Sequence, residues 1–364
     1  MIDRRTAMVS AAAALAAVAA SGPAGAGERG SPLVIAHRGA SGERPEHTPM
    51  AYRVAIAQGA DFIEPDLVLT KDGHFVCRHE NEIGETTDVG QRPEFAARRA
   101  TRVIDGQSLT GWFTEDFTLA ELKTLGCRER LPQLRPGNVK YDLHDRIPTL
   151  EEVIALAAEA GRRTGRIIGL YPEIKHPAYF AGIGLGMEAR LAAAMRKAGF
   201  DSPSAPVFIQ CFEVGPLKTL RTMLKTPLVQ LVSDEGGPAD LPGVTYDEMA
   251  SAAGLKAIAA YADGVGPEKS RVLPVVDGAP GAPTAFVANA HAAGLKVHPW
   301  TVRRENYFLP ERLRRLSNPP TPEDARATGD VGALLKALYT AGVDGVFTDN
   351  PAEAVAARTA FLAG

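Results

Sequence analysis

Glu64 and Asp66 stand two residues apart in an apolar run that continues to Glu80, FIEPDLVLTKDGHFVCRHE. In an extended strand that spacing sends both carboxylates to one face. Asp72-Gly73, set between apolar segments, is a strong hairpin signal. With those two residues as the loop, His79 falls directly opposite Asp66 and shares its face. A three-residue loop would slip the register and turn His79 away. Two acids beside an imidazole can hold a hard cation or exchange protons, although such a trio standing alone is more often a solvated face.

Other apolar segments end in groups that extend this chemistry. They supply His37-Arg38 after LVIA, Glu173 and Lys175 in YPEIK, Gln210 and Phe212 in VFIQCF, and Trp300 in KVHPWTV. Glu64, Asp66 and Glu173 offer three carboxylates without cysteine, a set that selects Ca²⁺ or Mg²⁺ over zinc or copper. Arg38 and Lys175 suit phosphate oxygens, the arginine through its planar fork. His37 and His79 suit general acid and base roles near neutral pH. Each has a duller alternative: rim lysines usually pair with acids, and buried histidines, tryptophans and phenylalanines usually serve packing.

These groups need elements that bring them together. SPLVIAHRG reads as a strand, and Thr48-Pro49 as the cap and first turn of a helix to about Gln58. Further strands are expected at 167–175, 207–212, 228–232, 261–265, 295–302 and 344–351. Helices alternate with them at about 150–160, 187–198, 214–224, 284–293 and 330–341. This alternation predicts a parallel α/β fold, and at this strand count a closed TIM-type (β/α)8 barrel. The competing doubly wound sheet lacks a GxGxxG after its first strand. In a barrel, residues at strand C-termini converge on one rim, where catalysis occurs. Residues 81–147, with Trp112 and Phe113, lose the pattern apart from a helical stretch at 119–125, and read as an insertion packed on one rim of the main domain rather than a second core.

At 364 residues with 45% hydrophobic and 23% charged residues, the chain can bury a sizeable core. Its net charge of −3, with no basic stripe, gives no electrostatic case for nucleic acid. Residues 1–26 have the layout of an export signal: Arg4-Arg5, an alanine-rich apolar stretch, then Ala24-Gly25-Ala26. The paired arginines suggest the twin-arginine route. A periplasmic or secreted protein is therefore expected, with no membrane span beyond that signal. Cys77, Cys127 and Cys211 allow at most one disulfide, and no spacing among them suggests zinc.

HRGASGERPEHTPMAY, FIEPDLVLTKDGHFVCRHE, YPEIK, VFIQCFE, KVHPWTV and DGVFTDNP, in this order between about residues 33 and 351, closely resemble the glycerophosphodiester phosphodiesterase family, and PEHT with PEIK its periplasmic branch. The resemblance implies a distorted TIM barrel over 31–364 with an inserted subdomain. It also implies one divalent cation, Ca²⁺ ahead of Mg²⁺, held by Glu64, Asp66 and Glu173. By matching motifs, His37 and His79 become the acid/base pair, Arg38 and Lys175 the phosphate contacts, and Glu46 of PEHT a further acid at the site. Gln210, Phe212 and Trp300 would line the pocket. The implied reaction is hydrolysis of a small glycerophosphodiester to an alcohol and sn-glycerol 3-phosphate. The alternatives are a lipid- or teichoic-acid-directed phosphodiesterase on the same barrel, or a non-catalytic phosphodiester-binding protein. Pro65 breaks the ladder between the two acids. Arg303 stands where many relatives carry Asn, and Glu80 where Asp is usual, a change expected to matter less.

Overall fold

A computed structural model describes residues 30–364; the expected export signal at 1–26 lies outside the described residues. In the first strand, β1 (Leu33–His37), Ile35 joins an inner aromatic cluster while Val34 and Ala36 join the outer core. That is the two-sided burial of a parallel strand covered by helices. The expected second strand is split at Pro65 into β2 (Phe62–Glu64) and β3 (Asp66–Leu69), as a residue without a ladder N–H requires. β4 (Phe75–Cys77) returns antiparallel to β3. β5 (Ala100–Ile104) and β6 (Gln107–Gly111) form a separate hairpin. The strand expected at 167–175 is likewise interrupted at Pro172, giving β7 (Gly169–Leu170) and β8 (Glu173–Ile174).

β9 (Ile209–Cys211), β10 (Leu228–Val232) and β11 (Gly264–Pro267) follow, then a two-stranded ribbon, β12 (Val275–Val276) with β13 (Ala279–Pro280). β14 (Lys296–Val297) and β15 (Gly345–Thr348) complete the set. The strands pair in two runs, β15-β1-β2-β7 and β14-β11-β10-β9-β8-β3-β4. The runs share the split strands on one side. On the other, Val302 bridges Thr348 and the Asp344 N–H donates to the Val297 carbonyl. The ring thereby closes into the expected TIM-type barrel.

Ile35, Tyr171, Val229 and Phe347 fill the barrel, with Phe62 and Phe208 packed against them. Tyr171 meets Phe347 edge-on at 4.8 Å between ring centroids and stacks on Phe208 at 5.2 Å. This interior is a packed floor rather than a pore. Outside it, helix Pro49–Ala57 starts as expected, with the Thr48 side chain accepting from Ala51 N–H. Helix Leu150–Thr164 carries a Thr149–Glu152 capping box and ends on Gly165 in the left-handed conformation. Two helices, Tyr246–Ala250 and Ala252–Ile258, lie between the strands expected at 228–232 and 261–265, where no helix was expected.

The hairpin register differs from the sequence expectation. Leu67 faces Cys77 and Leu69 faces Phe75, so the loop has three residues, Lys71-Asp72-Gly73, with Gly73 at φ +81°. Asp66 therefore stands opposite Arg78, whose N–H donates to the Asp66 carbonyl. The reason lies in the bonds of Asp72: it accepts from the Thr70 hydroxyl and, across 47 residues, from Leu119 N–H, which holds it out of the φ > 0 conformation that a two-residue turn needs at its first position. Within 81–147, Phe95, Phe117, Leu122 and Leu125 share the continuous core of the barrel. Helix there is confined to Leu119–Leu122 and short 3₁₀ turns. All three cysteines are free and buried. No helix of the described residues is long and apolar enough to cross a membrane.

Candidate active site

Strand alternation, not sequence proximity, assembles the site. His37 is paired in register with Glu64, Asp66 with Glu173, and Glu173 with Gln210. Inward positions on neighbouring staves thus rise to the same height at the C-terminal rim. His37, Arg38, Glu64, His79, Glu173, Lys175, Gln210, Phe212, Trp300 and Arg303 line one cavity of about 330 Å³. Asp66 does not line it and is almost wholly buried. Glu46 does not line the cavity; it stands behind Arg38, accepting from that guanidinium at 2.9 Å.

Carboxylate oxygens of Glu64, Asp66 and Glu173 lie within 4.8 Å of one another, and all three residues are buried. Burial, together with the charge of Asp66, pushes the Glu64 carboxyl well above its usual range. Burial raises Glu173 to about 7 against the pull of Lys175, whose Nζ is 2.8 Å away. Burial would raise Asp66 too, but the bond from His47 and the nearby positive charge hold it well below. Asp66 Oδ1 and Gln210 Oε1 are buried without a donor. Crowded acids with unmatched acceptors and no cysteine fit a hard divalent cation, which would relieve both the repulsion and the missing partners.

The two imidazoles reach the same cavity by different routes. His37 ends β1; its Nδ1 is 2.6 Å from Asp349 Oδ1, and because an ionised carboxylate only accepts, Nδ1 carries the proton. His79 follows the end of β4. Its Nδ1 donates to Glu80, and its Nε2 lies 3.3 Å from the Lys175 ammonium, which can only donate. His79 therefore enters the site past the end of the ladder, which is why the altered register does not remove it. Burial and the charge of Arg38 lower His37 to about 4 despite Asp349. Burial, Arg38 and Lys175 lower His79 to about 3. Both rings are therefore held neutral at pH 7.

Arg38 occupies the left-handed region at φ +61°, followed by Gly39 at +85°. A Cβ at Gly39 would sit 2.7 Å from the backbone of Ala51, so only glycine lets this turn pack on the first helix. The turn directs the Arg38 N–H to Glu64 Oε2 at 2.7 Å. Phe212 and Trp300 meet edge to face at 5.6 Å, and Trp300 Nε1 donates to the Gly266 carbonyl, which fixes them as cavity wall. Arg303 lies in the same wall, its Nε donating to Asp349 Oδ2. The sequence reading assigned no role to two residues. Asp349 sits at the end of β15, two positions past Phe347, so the strand-end rule applied to it equally. His47, within the quoted PEHT, donates from Nε2 to Asp66 and accepts from the Tyr52 hydroxyl.

Residues 37–353 match the family model described as the glycerophosphoryl diester phosphodiesterase family. The chain belongs to this family. It is 37% identical over 330 residues to glycerophosphodiester phosphodiesterase GDPD6 of Arabidopsis thaliana, covering 87% of this chain and 83% of that one. A glycerophosphodiester phosphodiesterase of Haemophilus influenzae is 31% identical over 344 residues, with 88% and 87% covered. Among solved structures, the fold is shared with a glycerophosphoryl diester phosphodiesterase described as putative from Silicibacter pomeroyi, at TM-score 0.62, 24% identity and 92% and 95% coverage. It is shared also with an Oleispira antarctica phosphodiesterase in complex with the product sn-glycerol-3-phosphate, at TM-score 0.56, 23% identity and 90% and 96% coverage. The chain is thus a phosphodiesterase of glycerophosphodiesters in a family dependent on divalent metal, and its buried acids are the group suited to that ion.

Proposed function

We propose that this enzyme releases sn-glycerol 3-phosphate and an alcohol from small glycerophosphodiesters, using His37 and His79 as proton-transfer groups and Ca²⁺ held by Glu64, Asp66 and Glu173. The observation that carries the reading is the pair of imidazoles on one cavity wall. Each has Nδ1 tied to a carboxylate, which assigns proton exchange with substrate to Nε2, an atom that on His79 also faces the Lys175 ammonium at 3.3 Å. The bound product named for the Oleispira antarctica relative supports the choice of product.

A divalent ion on the three carboxylates would withdraw charge from the phosphoryl oxygens and orient the attacking and leaving groups. Arg38 and Lys175 hold further phosphate oxygens. The diester brings negative charge beside both rings and raises their proton affinity toward the range useful at neutral pH. One Nε2 takes the proton of the attacking oxygen, from water or from the neighbouring glycerol hydroxyl. A P–O bond forms to that oxygen and the P–O bond to the leaving alcohol breaks. The second histidine, protonated on Nε2 from solvent when the diester binds, gives that proton to the departing alkoxide. Where the glycerol hydroxyl attacks, water then opens the cyclic phosphate in a second displacement to give sn-glycerol 3-phosphate. Phe212 and Trp300 narrow the cavity and exclude bulk water. The layout of residues 1–26 supports export, so the enzyme would act in the periplasm or outside the cell.

The test is turnover on a panel of glycerophosphodiesters after chelation and stepwise return of Ca²⁺, Mg²⁺ or Mn²⁺. Chelated enzyme is expected to be inactive and Ca²⁺ to restore it best. His37→Ala and His79→Ala should each lose about 10²–10⁴-fold in turnover with metal affinity unchanged. Wild-type turnover in either variant overturns the assignment.

A further inference from the structure

Both imidazoles are held through carboxylates, and both carboxylates are held by arginines from one short stretch of the 81–147 segment. Arg135 uses every guanidinium nitrogen: Nη2 donates to Asp349 Oδ2 at 2.5 Å, Nε to Glu305 Oε1 at 2.7 Å, and Nη1 to the Ser41 carbonyl at 3.0 Å. Its side chain is almost fully buried, and Asp349 carries His37. Five residues earlier, Arg130 grips Glu80 with both Nη atoms, at 3.1 and 2.5 Å, and reaches Glu46 at 2.7 Å. Glu80 carries His79, and Glu46 carries Arg38.

We propose that Arg130 and Arg135 are positioning residues for catalysis, a clamp by which the 81–147 segment fixes both proton-transfer histidines from outside the barrel. The physical case is one of direction. A lone carboxylate can rotate and take its imidazole with it, whereas one locked by a planar, several-fold donor cannot. Arg135 joins strand-end and loop residues 170 and 214 positions away along the chain, so nothing in the barrel alone reproduces it. Arg303 also donates to Asp349, but it lines the cavity and lacks the other two anchors of Arg135. Lysine at either position would keep the charge and lose the fork.

The proposal rests on the histidine assignment above. Arg130→Lys and Arg135→Lys are expected to lower kcat about 10- to 100-fold with a smaller change in KM and metal affinity kept. The thermal midpoint falls too, because buried acceptors lose donors, so kcat is read well below both midpoints. Arg128→Lys, whose guanidinium bonds only Gln91 among its neighbours, should match wild type. The cycle of Arg135→Lys with Asp349→Asn should be strongly non-additive, because both remove one chain of bonds. In metal-loaded wild-type enzyme, ¹⁵N spectra of the histidine rings should show protonated Nδ1 in His37 and His79; this arm needs no variant to fold. Wild-type kcat in both lysine variants, an additive cycle, or an unprotonated Nδ1 in either ring overturns the clamp. If instead His37→Ala or His79→Ala keeps full turnover, the functional reading itself fails.

Discussion

Glu173 sits where three demands meet: it faces Asp66 across the ladder, lies within the acid cluster, and binds Lys175. Its carboxyl, raised to about 7 by burial, holds a proton more tightly than an exposed glutamate. Removing its charge should therefore affect the ion before anything else. Glu173→Gln is expected to weaken Ca²⁺ binding by about tenfold or more, read by calorimetry, and unchanged affinity would remove it from the ligand set. The spacing of Glu64 with Asp66, and of Glu173 with Lys175, made these residues legible, because a period of two is written in the sequence. Arg130 and Arg135 were not legible. They lie in a stretch without periodicity, and their partners are fixed by how the whole chain closes.

At the scale of elements, three Asp-Gly pairs sit at turns and only two make the same turn. Asp105-Gly106 and Asp277-Gly278 both have positive φ at both residues, and their flanking strands pair across two-residue loops. Asp72-Gly73 does not, because Leu119, from a distant segment, recruits the Asp72 carboxylate. The dipeptide rule is sound locally, and a tertiary bond overrides it at the one hairpin next to the chemistry. Gly73 remains the residue that lets the loop close, at φ +81°. Gly73→Ala is expected to cost about 1–2 kcal/mol of unfolding free energy by urea titration. Gly182→Ala, helical and in open space, should be neutral or gain about 0.5–1 kcal/mol. Equal effects at the two positions would refute the conformational argument. The barrel strands themselves were legible in order and type, but Pro65 and Pro172 cut two of them where only the first break was foreseen.

For the whole molecule, the buried acids tie stability to metal and to pH together. An ion that binds only the folded chain stabilises it by about 2.7 kcal/mol at a hundredfold excess over Kd. For a chain of this size that is about 4 °C in thermal midpoint. Without the ion, Glu173 in the folded state keeps its proton up to about pH 7, while in the unfolded chain it ionises near 4.5. Between those values the folded state binds more protons, so this group lowers the stability of the metal-free protein as pH rises. His37 and His79, lowered to about 4 and 3, act oppositely: their contribution is lost as pH falls from about 6.5 toward those values. Because the imidazoles are present with and without metal, their slope largely cancels in the difference between the two midpoints. The Glu173 slope does not cancel, since the bound ion replaces its proton. The midpoint gained on adding Ca²⁺ should therefore grow as pH rises from 5 to 8, and Glu173→Gln should reduce that growth without abolishing it, because the raised Glu64 carboxyl also exchanges its proton for the ion. A gain that is constant with pH in the wild-type enzyme would mean that proton and cation do not compete for these carboxylates.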